Sequence, residues 1–326
     1  MAILFAVVLI DMIGFGIIIP ILPFMSPELG ADKLDIALII CSYALCAGLC
    51  GPFWGRLSDR IGRKRVIMIC LIGGAVGYAL LGFASALWML YAARAFAGLM
   101  AGNLGVASAM MADITSAENR ARGMGMIGAA FGLGLVLGPV IGGLLSGDNG
   151  SFLLPCLFAG GMSLLAVVAA ALFLRESLSR EGRRARRKAQ REAPAESLWR
   201  LLKRTESRLL MLQYVLHSSS ISGFTYLFPL WAGDKLAWGA REVGIVFGIQ
   251  GAIMALTQGV LMGTLVRIVG EIRLLRVCVG AFLLGMLLAV FADGMVLMLA
   301  ALFIGLTGAT LCIPILNSFT SQRTPV

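Results

Sequence analysis

Gly55-Arg56-Leu57-Ser58-Asp59-Arg60-Ile61-Gly62-Arg63-Lys64-Arg65 is a densely charged stretch set between two long apolar runs. Charge at that density is too costly to hold in hydrocarbon, so the stretch reads as a hairpin joining two membrane helices. Gly55 and Gly62 supply the positive φ or the close approach that a tight reversal demands. Arg56, Arg60, Arg63, Lys64 and Arg65 place the reversal on the cytoplasmic side of a membrane. Asp59 stands alone among these cations. Its carboxylate needs an ion pair or hydrogen bonds, and an arginine fork offers it directional partners.

The composition agrees with that reading. Of 326 residues, 59% are hydrophobic and 13% charged, and the net charge is +10; the mean hydropathy is +0.93. This is more apolar surface than a soluble core encloses, so the chain is an integral membrane protein of the all-α class. Crossing a hydrocarbon layer of about 30 Å takes about 20 residues of helix. Ten apolar runs qualify, near 3–25, 36–55, 66–85, 87–111, 122–146, 152–174, 208–232, 242–263, 272–292 and 295–318. The first is too long for a signal-peptide core and lacks a cleavage pattern, so it stays as a span. The seven cysteines fall within apolar runs, without His or carboxylate neighbours at ligand spacing, and read as small packing residues. The excess of basic residues reports topology rather than nucleic-acid binding, because it concentrates in alternate loops, the others holding only Lys33, Lys235 and Arg241. Residues 55–65, Arg120 with Arg122, residues 175–208, and Arg267 with Arg273 and Arg276 lie inside, and so does the amino terminus.

Three spans carry chemistry. Span 1 reads D-x-x-G-x-G-x-x-x-P-x-x-P from Asp11 to Pro23. Asp11 lies roughly 12 Å deep, where burial favours the neutral carboxyl, making it a candidate proton site; a structural hydrogen bond to another helix is the alternative. Span 4 holds Tyr91, Arg94, Gly98, Gly102 and Asn103 and ends at Asp113. An arginine roughly 10 Å from the outer surface is costly unless it faces a wet cavity or a partner, so Arg94 marks an internal pathway or, failing that, a purely structural pairing. Span 5 reads Gly125-x8-Gly134-x3-Gly138-Pro139-x2-Gly142-Gly143. Gly134, Gly138 and Gly142 recur every fourth residue, a stripe on which another helix can pack backbone to backbone, and Pro139 bends the helix beside it. Generic small-residue packing would look the same.

Domain organisation follows from the long basic segment 175–207, read as a cytoplasmic linker between a six-helix bundle at 1–174 and a second bundle at 208–326. Leu198, Trp199, Leu201 and Leu202 form an amphipathic turn suited to an anionic leaflet. The second half repeats the first weakly: Gly263 and Gly270 follow Gly55 and Gly62 by 208 residues, and Pro229 follows Pro20 by 209. Arg267 replaces Asp59 in that copy, so the charged cluster belongs to the first half. Gln213, His217, Gln250, Gln258 and Asn317 are expected to line a cavity in the second bundle.

The spacing G-x-x-x-D-R-x-G-R-K, with the span 1 motif, the Arg94 helix and the Gly-Pro span 5 in this order, resembles the major facilitator superfamily. Within it, the resemblance is to 12-helix drug:proton antiporters of the tetracycline and multidrug-resistance type. It implies the major facilitator fold, with two pseudo-symmetric helical bundles, here six helices plus an incomplete four. It implies alternating access and proton-coupled efflux of a small amphipathic compound. The partners implied are that substrate and the lipid bilayer, with no nucleic acid, no metal and no cofactor beyond the coupling proton, in a monomer of the bacterial inner membrane. By the same resemblance Arg94 handles protons or substrate, Asp113 pairs with Arg63 as a conformational lock beside Asp59, and the span 5 motif belongs with antiporters. Tetracycline exporters are expected to carry further acids in spans 3 and 9, where this chain has Gly77 and Phe282, so tetracycline itself is doubtful. The repeat offset sets Val326 against residue 118, so two spans are expected to be missing, and the coding sequence is expected to continue for about 55 to 75 residues. A sugar or metabolite carrier would need more polar spans, and a non-transporting protein would not need Asp11 and Arg94 in the bilayer. An enzyme would need a His/Asp/Glu cluster, a thiol with a base or a metal set, none of which stands at workable spacing.

Overall fold

Apolar runs of this length must satisfy their backbone internally, and helices do so. A computed structural model describes residues 1–116, 119–146, 152–178, 181–182 and 205–323. Its helices are α1 Ala2–Glu28, α2 Lys33–Ile61, α3 Arg63–Gly82, α4 Leu87–Leu99, α5 Asn103–Ile114, α6 Arg120–Ser146 and α7 Leu153–Phe173. There follow α8 Thr205–Leu236, α9 Ala240–Leu256, a π-turn at Thr257–Leu261, α10 Met262–Val269, α11 Glu271–Val290 and α12 Met295–Arg323. No strand occurs among the described residues. Eight helical stretches among them are long and apolar enough to cross a membrane; α8 and the α9–α10 stretch occupy the runs expected for spans seven and eight. The chain divides into two compact units, Met1–Glu196 with Ala240–Gly244, and Ser197–Gly239 with Ile245–Val326. The amphipathic turn at Leu198–Leu202 and most of the expected linker lie outside the described residues.

The charged stretch is helix, not loop. α2 runs to Ile61 and α3 starts at Arg63, so Gly62 alone makes the reversal, at φ 110° and ψ 150°. Only glycine adopts that backbone without strain. Gly55 is an ordinary residue of α2 facing open space, and the expectation that it shapes the turn fails. The helix can continue because its backbone bonds are internal, while charged side chains on its last turns reach outward to water.

In the first unit α1 packs most extensively on α6 and also on α7, α3 packs on α7 and α4, and α2 packs on α4. Close approach is made by glycines. A Cβ on Gly16 of α1 would stand 2.8 Å from the Gly134 carbonyl oxygen and 3.0 Å from the Gly138 Cα on α6. A Cβ on Gly14 would stand 3.2 Å from the Ala159 carbonyl oxygen of α7. The Ser163 hydroxyl ties α7 to α3 by donating to the Leu71 carbonyl at 2.9 Å.

Span 4 is broken, where one continuous helix was expected. α4 ends at Leu99 and α5 begins at Asn103. Between them the Gly102 N–H turns back to the Met100 carbonyl at 2.9 Å, a bond two residues long that no α-helix makes.

The repeat is visible in the second unit. α3 and α11 are 20 residues each, α11 starts 208 residues after α3, and Gly270 repeats Gly62 with φ 83°. The Gly77–Ala97 approach between α3 and α4 recurs as Gly285 on Gly305 between α11 and α12. Cys70, Cys156, Cys278 and Cys312 are buried, as packing residues should be, whereas Cys41 is exposed.

Candidate functional site

Two buried polar clusters stand out among the described residues of the first unit. At the α2–α3 reversal the Arg63 guanidinium spends three nitrogens on three partners. Its Nη2 is 2.7 Å from Asp59 Oδ1, its Nε donates to Asp113 Oδ2 at 3.2 Å, and its Nη1 donates to the Ser58 hydroxyl. A planar fork can do this and a lysine cannot. Asp113 sits on the last turn of α5, so the pair draws α5 onto the reversal. Glu176, just past α7, accepts the Arg63 backbone N–H at 2.8 Å. That N–H is an orphan donor at the N-terminus of α3, where the helix dipole favours a carboxylate. Ser177 donates to Asp113 Oδ2 at 3.3 Å, and Lys64 Nζ donates to the Ala171 carbonyl at 2.7 Å in the last turn of α7. Arg60 is exposed in the last turn of α2, where a cation suits the dipole. The Arg63 and Asp113 side chains are only 5% and 8% exposed, which makes this a buried pair, not a surface one.

The second cluster is midway along the helices. Asp11 is buried on α1, and its Oδ2 accepts the side-chain amide of Asn103, the first residue of α5. Asp11, Tyr43, Cys70, Tyr78, Arg94 and Asn103 help line a cavity of about 40 Å³, enough for one or two waters. A void of about 10 Å³ also borders Asp11 and Asn103, among Val7, Ile67, Leu71 and Ala107. Arg94 is buried with its Cζ 4.3 Å from the centroid of the Tyr43 ring, a cation–π contact. Its Nε is buried without a hydrogen-bond partner among the described residues. Such an orphan costs about 1–3 kcal/mol, and the adjoining cavity has room for a polar atom to meet it.

Other expected site residues are placed elsewhere. Tyr91 does not line this cavity; its hydroxyl donates to Asp35 Oδ1 at 2.9 Å, on the first turn of α2 and away from Gly62. Gly134, Gly138 and Gly142 form one seam along α1, against Met12, Gly16 and Ile17 in turn, and Pro139 lies 3.2 Å from where a Gly16 Cβ would be. Gly125 faces open space, and Gly143 lies off the seam against Ala240 of the same unit. In the second unit Gln250 Nε2 donates to the Thr307 hydroxyl at 3.3 Å, and Gln258 Nε2 donates to the Thr310 carbonyl at 3.2 Å. His217 meets Phe282 edge-on at 6.2 Å. The buried Gln250 Oε1 and His217 Nε2 lack partners among the described residues. Gln213 is exposed, and the Asn317 side chain lies outside the described residues. A cavity of about 420 Å³ in this unit is lined by apolar residues such as Leu265, Leu274, Phe303 and Leu311, with Thr307 the polar exception. The expected glutamines and histidine do not line it.

The sequence model of the Major Facilitator Superfamily matches residues 4–326. The chain belongs to the Major Facilitator Superfamily. The class E tetracycline resistance protein of Escherichia coli is 31% identical over 322 residues, 97% of this chain and 78% of that one. The class H tetracycline resistance protein of Pasteurella multocida is 28% identical over 92% of this chain and 75% of its own. Multidrug resistance protein 2 of Bacillus subtilis (strain 168) is 26% identical over 85% and 69% respectively. The human organic anion transporter MFSD10 shares the fold, with a TM-score of 0.70 and 22% identity over 98% of this chain and 84% of that one. This facilitator is therefore a multi-pass membrane transporter of small molecules and not an enzyme.

Sequence reasoning missed several residues that complete the facilitator clusters. Glu176 carried a signal, as the first acid after span 6 in a segment where basic residues outnumber acids. Ser58 and Ser177 flank charged residues and carried a weak one. Tyr43, Tyr78 and Trp54 carried none, because an aromatic residue in an apolar span reads as packing.

Proposed function

We propose that this facilitator exports a small amphipathic, drug-like compound in exchange for protons, by alternating access, with Asp11 as the proton carrier. The observation that supports this most is a buried carboxyl within a span, hydrogen-bonded to a neutral amide and set beside a water-sized cavity shared with Arg94. An acid placed so can cycle between charged and neutral forms at the cost of one hydrogen bond. The relatives' names, tetracycline and multidrug resistance, support a drug as cargo. Gly77 packs on Ala97 and Phe282 on His217, with no acid at either place, which favours another amphipathic compound over tetracycline. In this reading the Asp59–Arg63–Asp113 cluster is a cytoplasmic lock and the amino terminus is inside. The chain works as a monomer in the bacterial inner membrane, and Gly134, Gly138, Pro139 and Gly142 guide α6 along α1.

The test is efflux from vesicles under an imposed pH gradient, with ethidium and tetracycline as parallel probes. Asp11→Asn should abolish pH-driven efflux while the protein still inserts. Undiminished proton-coupled efflux by that variant sinks the assignment.

A further inference from the structure

Trp54 sits on α2 one residue before the charged stretch and is 7% exposed. Its indole N–H donates to the carbonyl of Leu99 at 2.6 Å, the last residue of α4. In a continuous helix that carbonyl would accept the N–H four residues on, which is that of Asn103. The indole has taken the place of the Asn103 amide, and the helix is interrupted there. Gly102 completes the fit, because a Cβ on it would fall among the Cβ, Cγ and Cδ1 atoms of Trp54. Asn103 then opens α5 with its side-chain amide on Asp11.

We infer that Trp54 is a positioning residue for Asp11: by holding the α4–α5 break open, it places the Asn103 amide on the Asp11 carboxylate. The inference rests on the reading of Asp11 as proton carrier and adds a link from α2, the helix of the charged reversal, to the proton site. Without the indole N–H the Leu99 carbonyl is free to bond the Asn103 N–H, the break closes, and the Asn103 side chain leaves its place. A carboxylate that loses an amide donor binds its proton more readily. The other titratable or charged side chains facing Asp11 are Tyr43 from α2, Cys70 and Tyr78 from α3, and Arg94 from α4; α5, α6 and α7 contribute none to the cavity lining.

The test is infrared titration of the full chain in lipid, following the protonated carboxyl band that Asp11→Asn removes. This readout needs no transported compound. Trp54→Phe keeps an aromatic ring and deletes the N–H. The pH midpoint of the band should rise by about 1–2 units, the size of one hydrogen bond to a charged group. Asn103→Ala should give the same rise, and the double variant no further rise, because both act through one bond. Gly102→Ala, which displaces the ring from the other side, should reproduce the shift and serves if Trp54→Phe does not fold. A wild-type midpoint in Trp54→Phe or Gly102→Ala beside a shifted one in Asn103→Ala reduces Trp54 to packing and overturns the inference. So does an unshifted Asn103→Ala, or a double variant in which the shifts add. The antiport reading itself is decided separately, by efflux through Asp11→Asn.

Discussion

Replacing Gly138 by alanine adds one methyl group to the seam between α1 and α6. Built on the backbone, that carbon stands 2.7 Å from the Gly16 carbonyl carbon and 2.8 Å from the Ile13 carbonyl oxygen. Carbon contacts are optimal at about 3.5–4.0 Å, so the helices must part by the better part of an ångström. Both obstacles are backbone, and no side chain can swing aside to relieve them. Overpacking of this kind costs about 1–3 kcal/mol. At 2–4 °C per kcal/mol for a domain of this size, the apparent melting temperature should fall by about 2–12 °C. Gly125→Ala is the internal control, since it belongs to the same motif and helix but has no neighbour within 4 Å among the described residues. Alanine is the better helix former by up to about 1 kcal/mol, so this variant should melt at or slightly above the wild-type temperature. The assay is thermal unfolding of the two purified variants in one detergent. Equal melting temperatures for Gly138→Ala and Gly125→Ala would refute the backbone-to-backbone account of the motif.

Arg63→Ala leaves Asp59 and Asp113 without their buried cation, a loss of about 3–5 kcal/mol, and Arg63→Lys should recover only part of it because a single nitrogen cannot stand at the three positions from which the fork donates. Thermal unfolding of both variants checks this, and full rescue by lysine counts against the fork geometry. Glu176→Gln keeps an acceptor for the Arg63 N–H but removes the charge at the α3 N-terminus, so it should cost about 0.3–1 kcal/mol. Glu176→Ala should cost more, and the order of their melting temperatures decides whether Glu176 caps α3.

The sequence by itself determined what can be written along a line. Span length follows from apolar runs matched to membrane thickness, and the internal repeat from glycines recurring at a spacing of 208. Even Gly62 as a turn residue was legible, because a positive φ is a property of one residue. What the line does not hold is which face of each helix meets which neighbour. Gly125 and Gly138 are the same residue in the same motif, yet one faces open space and the other the backbone of α1. Arg63 and Glu176 meet across 113 positions, Asp11 and Asn103 across 92, and Trp54 and Leu99 across 45. Each meeting depends on the rotation and register of two helices, and successive residues in a helix point about 100° apart. A shift of one residue would dissolve any of these pairs without altering a single hydropathy value. The break in span 4 was hidden for the same reason: the donor that takes the Leu99 carbonyl comes from another helix, and only the packed bundle brings it there.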